Sequence, residues 1–429
     1  MSAIATYAVP RLIKRNVALF ALSQSFTGAG MQFAYFLGPL MMVSITGSSG
    51  LAGLSVGLIA LSRFFVAYPV GKVTDTYGRK PGIFMGLSIA LVGTLMIGFS
   101  LLFRGPWALI LGMLVFGMGM SAAQQLRVAA TDMFPPSMRA SALGYLALGS
   151  LAGLVIGPVS VNGTEGLAHD LSMDPLAMPW LILPVLIVAG MIILTFVRPD
   201  PKEIGMNLAD YYPGYVPLKR ESKAGDPAFR AMDLMKHRAT RVAIIANCAA
   251  QGNMSIVMVL TSLVLKHHGH SLTAISLSHM FHSLGMFAFT IPLGKLADRY
   301  GRRNVMLPGV LTTLVGAALV TFTPSYALVT LGTFLVGIGW AATNVSATAL
   351  IADRTETAER GRAIGFNDSF AAGVSVAAAL VTGPLIDLYG LPAAGLCAVV
   401  IAVPPLAMLL AGQMSHAPAT ATGERAANR

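Results

Sequence analysis

Pro69-Val-Gly71-Lys-Val-Thr-Asp75-Thr-Tyr-Gly78-Arg79-Lys80 returns later in the chain as Pro292-Leu-Gly294-Lys-Leu-Ala-Asp298-Arg-Tyr-Gly301-Arg302-Arg303. Each copy closes the second long apolar stretch of its half and ends in a basic cluster. The correspondence continues downstream: Phe116-Gly117-Met-Gly119 matches Val336-Gly337-Ile-Gly339, and Gly157-Pro158 matches Gly383-Pro384. The chain is therefore one design written twice.

The surrounding composition says what that design is made of. Of 429 residues, 55% are hydrophobic and 11% charged, with mean hydropathy +0.71. Soluble proteins carry roughly 25% charged residues, so lipid is the main solvent here. A membrane span needs about 20 apolar residues. Twelve candidates lie near 16–42, 50–70, 82–103, 106–130, 140–160, 177–198, 241–265, 272–293, 304–322, 327–350, 363–388 and 391–412. The expected fold is an all-α membrane protein, with twelve transmembrane helices in two pseudo-symmetric six-helix bundles. The N-terminal bundle is assigned to 1–198, a cytoplasmic linker to 199–240, the C-terminal bundle to 241–414 and a disordered tail to 415–429. The linker holds five prolines and three tyrosines, and a short surface helix is expected over 226–240. The N-terminus lacks the short apolar run and cleavage site of a removable signal.

A net charge of +11 would suggest nucleic acid as a partner for a soluble protein. Here the cations cluster around Arg11/Lys14/Arg15, Lys72/Arg79/Lys80, the stretch 198–241, Lys295 to Arg303, Arg354 to Arg362 and the tail. By the positive-inside rule these segments face the cytoplasm, with both termini, so the charge reports topology and not nucleic acid. The only cysteines, Cys248 and Cys397, lie in spans and indicate no disulfide framework. No nucleophile–base pair or nucleotide loop suggests an enzyme.

The doubled G-x-x-x-D-x-x-G-R-[KR] loop resembles the signature of the major facilitator superfamily, over essentially the whole chain. The resemblance implies a gating role for Gly71, Asp75, Gly78 and Arg79, and for Gly294, Asp298, Gly301 and Arg302. The chemistry suits it: glycine permits the tight turn, and the acids can accept bonds from arginines and helix N-termini. Asp132 with Arg139, and Asp353 with Arg360 and Arg362, are expected to extend these latches. Two departures give no support to a drug/proton antiporter. Gly112 and Met113 stand where the superfamily's fourth-span arginine would fall, and the fifth-span glycine pattern is only partial at Gly149, Gly153 and Gly157-Pro158.

Two soft-ligand pairs occupy the seventh and eighth spans: Met254-x-x-x-Met258 and His282-x-x-x-Met286. Residues four apart share one helix face, and thioether with imidazole suits Cu(I). At 1.5 Å per residue, Met254 and His282 both fall about 15 Å from the outer end of their spans, and Met258 and His279 about 10 Å. Asn247, Gln251, Met254 and Met258 form one stripe; His279, Ser283, Met286 and Thr290 form another, with His282 at its edge. Ionisable groups at such depth face a cavity by default, and facilitator substrate sites lie near the midplane. The alternative is structural, with the histidines bonded to backbone or Ser and Met as packing.

The two pairs together resemble the pattern of the CcoA-like copper importers, a bacterial branch of the superfamily that supplies haem-copper oxidase assembly. The resemblance implies copper at Met254, Met258, His282 and Met286, carried as substrate with no resident cofactor. It also implies a bacterial inner-membrane location and cytoplasmic copper chaperones of oxidase assembly as partners. Riboflavin transporters occur in the same extended group. His279 is a further candidate ligand, and His267, His268 and His270 in the outer loop could gather metal at the mouth.

Arg63, about 12 Å inside the membrane, is the counterweight to a cation path. It either pairs with Asp368 of the eleventh span or binds a carboxylate or phosphate of an organic anion. Two alternatives to copper import follow. One is a facilitator for a small organic solute such as a flavin or organic anion, using Arg63, Gln251 and Tyr35. The other is a non-transporting receptor or oxidase-assembly factor.

Overall fold

The computed structural model describes residues 7–135, 138–215, 232–355 and 360–411; Arg63, Gly71, Asp75, Arg139, Arg360 and Arg362 contribute backbone only. The expected 415–429 tail and the first part of the expected 226–240 helix lie outside the described residues. Helices carry the described chain throughout. In the N-terminal half, α1 (Arg11–Thr27) and α2 (Ala29–Thr46) form one column. It is followed by α3 (Ala52–Tyr77), α4 (Arg79–Leu102), α5 (Pro106–Ala123) with α6 (Gln125–Asp132), α7 (Arg139–Asp170) and α8 (Met178–Thr195). The connecting segment holds the short α9 (Pro201–Met206), α10 (Leu208–Tyr211) and α11 (Asp233–Lys236). The C-terminal half comprises α12 (Arg238–His267), α13 (Leu272–Ala288) with α14 (Thr290–Tyr300), α15 (Arg302–Phe322), α16 (Tyr326–Asp353), α17 (Arg360–Tyr389) and α18 (Leu391–Leu410).

Nine of these segments are long and apolar enough to cross a membrane, and α13 with α14 makes a tenth across a 41° bend. With α3 and α7, of 26 and 32 residues, the described chain forms twelve columns, as the hydropathy predicts. Three columns expected to be continuous are broken: at Gly28, at Gln124 and at Phe289, each in αR-like geometry. Breaks of this kind leave backbone groups free that a lipid-exposed helix cannot leave unsatisfied.

Within a bilayer, close backbone approach replaces much of the hydrophobic drive. The two halves use it in the same way. A Cβ on Gly93 would stand 2.3 Å from the backbone of Phe116 where α4 crosses α5, and one on Gly316 would stand 2.5 Å from the Gly332 carbonyl where α15 crosses α16. The repeated loops also behave alike. Gly78 (φ +109°) and Gly301 (φ +93°) take the backbone region that side chains avoid, and each starts a helix. At Gly78 the linker contributes: Asp200 accepts from the amides of Arg79 (3.0 Å), Lys80 (3.0 Å) and Lys202 (2.9 Å), so a carboxylate sits at the positive end of α4. The linker is further pinned by buried Tyr212, whose hydroxyl donates to the Met133 carbonyl at 3.1 Å.

The halves meet toward the end opposite the basic loops. There a Cβ on Gly53 of α3 would lie 1.7 Å from the Ala379 carbonyl of α17, and one on Gly383 would lie 2.1 Å from the Gly50 carbonyl. Ser48 donates to Asp387 at 2.8 Å. Glu165 of α7 reaches the first turn of α13, accepting from the amides of Leu272 and Thr273 (both 3.3 Å) and from the Thr273 hydroxyl (2.7 Å). At the basic end, α6 and α14 pack on helices of their own half. Among the described residues these contacts close the two bundles together at this end.

Candidate functional site

The soft-ligand pairs lie on α12 and α13. On α13, three neighbouring polar residues address three different helices. His279 turns to α12: its Nδ1–H donates to the Ile275 carbonyl (3.0 Å), while Nε2 lies 3.4 Å from Ser262 Oγ and 3.4 Å from the Met258 carbonyl. The expected pairing of level between His279 and Met258 is therefore met. His282 turns to α16, where its Nδ1–H donates to the Thr333 carbonyl at 2.8 Å. Ser283 turns to α2 of the other half and bonds Gln32 through the side-chain amide (Nε2–Oγ 2.9 Å, Oγ–Oε1 3.2 Å). Phe36, one turn along α2, sets its ring 5.8 Å from that of His279.

His282 carries the chemistry of this arrangement. It is 2% exposed, and the Thr333 carbonyl fixes the proton on Nδ1. In the neutral ring Nε2 is then a lone pair, and it has no hydrogen-bond partner. A buried polar atom left unpaired costs about 1–3 kcal/mol, and Nε2 is one of seven such side-chain atoms among the described residues. Imidazole held through Nδ1–H by a backbone carbonyl, with Nε2 free, is the geometry of a metal-binding histidine.

The stripe on α12 faces α16 at its lower turns. Asn247 Oδ1 accepts from Asn344 at 2.9 Å and Gln251 Oε1 accepts from Trp340 at 3.0 Å. Both amides are thus spent within the C-terminal half, although Asn247 Nδ2 stays buried without a partner. One and two turns on, Met254 is half-buried and Met258 buried; Met286 on α13 is half-buried. Among the described residues no three His, Cys, Asp or Glu side chains gather to hold a metal.

The outer-loop histidines do not gather on a common point. His268 bonds back to the Val264 carbonyl (2.8 Å) and His270 faces the Tyr326 ring at 5.2 Å. His267 lies edge-on to His268 at 5.5 Å. Asp132 bonds Arg79 at 2.7 Å, and Asp353 bonds Arg302 at 3.2 Å, with Arg302 also paired to Asp298. The partners expected for these acids, Arg139, Arg360 and Arg362, lie outside the described side chains. Arg63, Gly71 and Asp75 lie outside the described side chains. Asp368, exposed on α17, accepts from Asn367 at 3.0 Å.

Sequence reasoning missed Gln32, Glu165, Thr333, Trp340 and Asn344. A signal was available for Gln32, an amide in the otherwise apolar run Met31 to Phe36. Glu165 is an acid near the end of a long apolar helix. Thr333 acts through its carbonyl, which no side-chain pattern reveals.

Comparison with known proteins adds the following. The sequence profile of the Major Facilitator Superfamily matches residues 20–210 and 242–428. An uncharacterised MFS-type transporter of Bacillus subtilis, YdeG, is 29% identical over 87% of this chain and 87% of its own length. The riboflavin transporter RfnT of Brucella anthropi is 25% identical over 88% of this chain and 90% of its own length. The nucleoside transporter NupG shares the fold with a TM-score of 0.71 at 15% identity, covering 94% of this chain and 100% of that one.

Proposed function

The chain belongs to the Major Facilitator Superfamily, and on that premise we propose that it imports copper, as Cu(I), into the bacterial cytoplasm. The observation that carries the reading is the buried Nε2 of His282, without a hydrogen-bond partner on a ring oriented by the Thr333 carbonyl. Three thioethers and a neutral imidazole bind a soft monovalent ion without the hold of a thiolate cage. Copper enters from outside, loses water to Met258 and His279 or His282, and settles among Met254, His282 and Met286. The two bundles then pivot about this level. The loops at Asp75 and Asp298, with Arg79–Asp132 and Arg302–Asp353, hold and release the cytoplasmic ends. In this orientation, with the basic loops and both termini in the cytoplasm, the described state is closed outside. Delivery to copper chaperones of haem-copper oxidase assembly follows from the same reading.

Radioactive copper uptake by cells carrying wild type, His282→Ala or the Met254→Ala/His282→Ala pair tests it. Accumulation is expected to fall by about tenfold or more in both variants at equal membrane abundance. Unchanged copper in the double variant would sink the reading.

A second reading has its own support. The similarity to a riboflavin transporter runs along 88% of the chain, and half-buried Trp340, now bonded to Gln251, gives a flat polar heterocycle a ring to stack on and an amide to bond once that pair opens. Riboflavin uptake by the same cells separates the two: a flavin carrier loses it on Trp340→Ala and ignores His282→Ala.

A further inference from the structure

Buried polarity without partners is concentrated in one seam of the C-terminal half. Of the seven side-chain atoms in that state among the described residues, four belong to α12 and α16. Two of these four, Asn253 Oδ1 and Thr343 Oγ1, line a single internal void together with Thr313 of α15. All three residues are at most 2% exposed. The Thr313 hydroxyl donates to the Gly309 carbonyl at 3.0 Å, which leaves its oxygen free to accept. Ala249, Ala250 and Val310 close the rest of the void, and no charged residue lines it.

Glycine is what brings these oxygens together. A Cβ on Gly339 of α16 would stand 2.3 Å from Thr313 Oγ1 and 2.5 Å from the Gly309 carbonyl. One on Gly309 of α15 would stand 2.8 Å from Thr343 Oγ1 and 3.1 Å from the Gly339 carbonyl. Hydroxyl and carbonyl oxygens of two helices thus crowd one crossing, and α12 adds the side-chain oxygen of Asn253.

Size and charge narrow the ligand. The void is too tight to admit a water molecule. A small bare cation sits closer to its partners: hard ions hold oxygen at roughly 2.0–2.6 Å, against roughly 2.7–2.8 Å for a hydroxyl hydrogen bond. Divalent ions of this kind are held by carboxylates. Here every oxygen is neutral, the ligand type that replaces the hydration shell of a monovalent ion.

We propose that Asn253, Thr313 and Thr343 form a site for a small monovalent cation of the sodium class, which clamps α12 to α15 and α16. None of the three belongs to the copper site, so the inference stands apart from the cargo.

Thermal unfolding of copper-free, full-length protein in detergent is followed in NaCl, LiCl, KCl and choline chloride at one ionic strength. A ligand of the native state stabilises it by mass action, so wild type is expected to unfold several degrees higher in NaCl and LiCl than in KCl or choline chloride. The increment should saturate as NaCl is raised. Thr343→Val keeps the shape of the side chain and removes one oxygen. That hydroxyl has no hydrogen-bond partner, so the variant is expected to fold while losing the increment. Thr313→Val is expected to lose it as well. One midpoint for wild type in all four salts overturns the proposal. An increment that wild type shares with Thr343→Val is a general salt effect and overturns it too.

Discussion

At the residue scale, His282 depends on a neighbour that offers no side chain. A Cβ at Gly337 would stand 2.2 Å from the His282 carbonyl and 3.1 Å from the Met286 amide. Both contacts are backbone, so nothing flexible can yield. Gly337→Ala is expected to push α13 off α16, break the bond to Thr333 and free the ring to rotate. Copper uptake should drop several-fold with every proposed ligand intact, while Gly365→Ala, where a Cβ meets nothing within 4 Å, should leave it unchanged. Cu(I) titration of purified protein against a competing chelator reads the difference. The Met and His spacings are legible in the sequence because residues four apart share a helix face. That neighbouring His279, His282 and Ser283 address α12, α16 and α2 is not, since it depends on which helices surround α13.

At the element scale, Glu165 ties α7 to the first turn of α13, the helix that carries His279, His282 and Met286. A carboxylate at a helix N-terminus contributes about 0.3–1 kcal/mol through the dipole alone, and its three bonds add to that. Removing it should favour the state in which the outer ends separate. Glu165→Ala is expected to raise the labelling of a cysteine placed at Ser283 by an impermeant thiol reagent added outside, in a background with Cys248 and Cys397 replaced. No increase would show that the tether is incidental. The linker offers a pH test. Burial pushes the Tyr212 phenol up to about 12, from an ordinary value of 10.0. Its contribution to docking is thus fully present below pH 10 and is lost as pH rises through 12. The protection of residues 201–212 relative to their intrinsic, base-catalysed exchange rates should hold to about pH 10 and fall above it, and Tyr212→Phe should remove that step. Helix number and order are readable from hydropathy. The breaks at Gly28, Gln124 and Phe289 are not, because in a membrane bundle neighbouring helices decide where freed backbone groups can be satisfied.

At the scale of the whole molecule, the two similar bundles are legible in the amino-acid sequence, since a loop duplicated at matching positions marks a duplicated unit. How the bundles meet is carried by small residues that a hydropathy plot reads as background. Gly53→Ala, with its Cβ 1.7 Å from the Ala379 carbonyl, should keep the outer ends apart and so slow net uptake strongly while leaving Cu(I) affinity in detergent near wild type. Equal uptake would mean that the crossing relaxes at little cost.

Main chain pressed on main chain at Gly53 and Gly383 has a kinetic meaning as well. On the proposed copper reading, a scavenger confined to the outer side has no route to an ion lodged beside His282 while that seam is shut. It can capture the ion only after the protein has swung round, however tightly the scavenger binds. The rate at which preloaded carrier surrenders its metal to such a scavenger should therefore level off as scavenger is added, and the plateau is a clock for the return stroke.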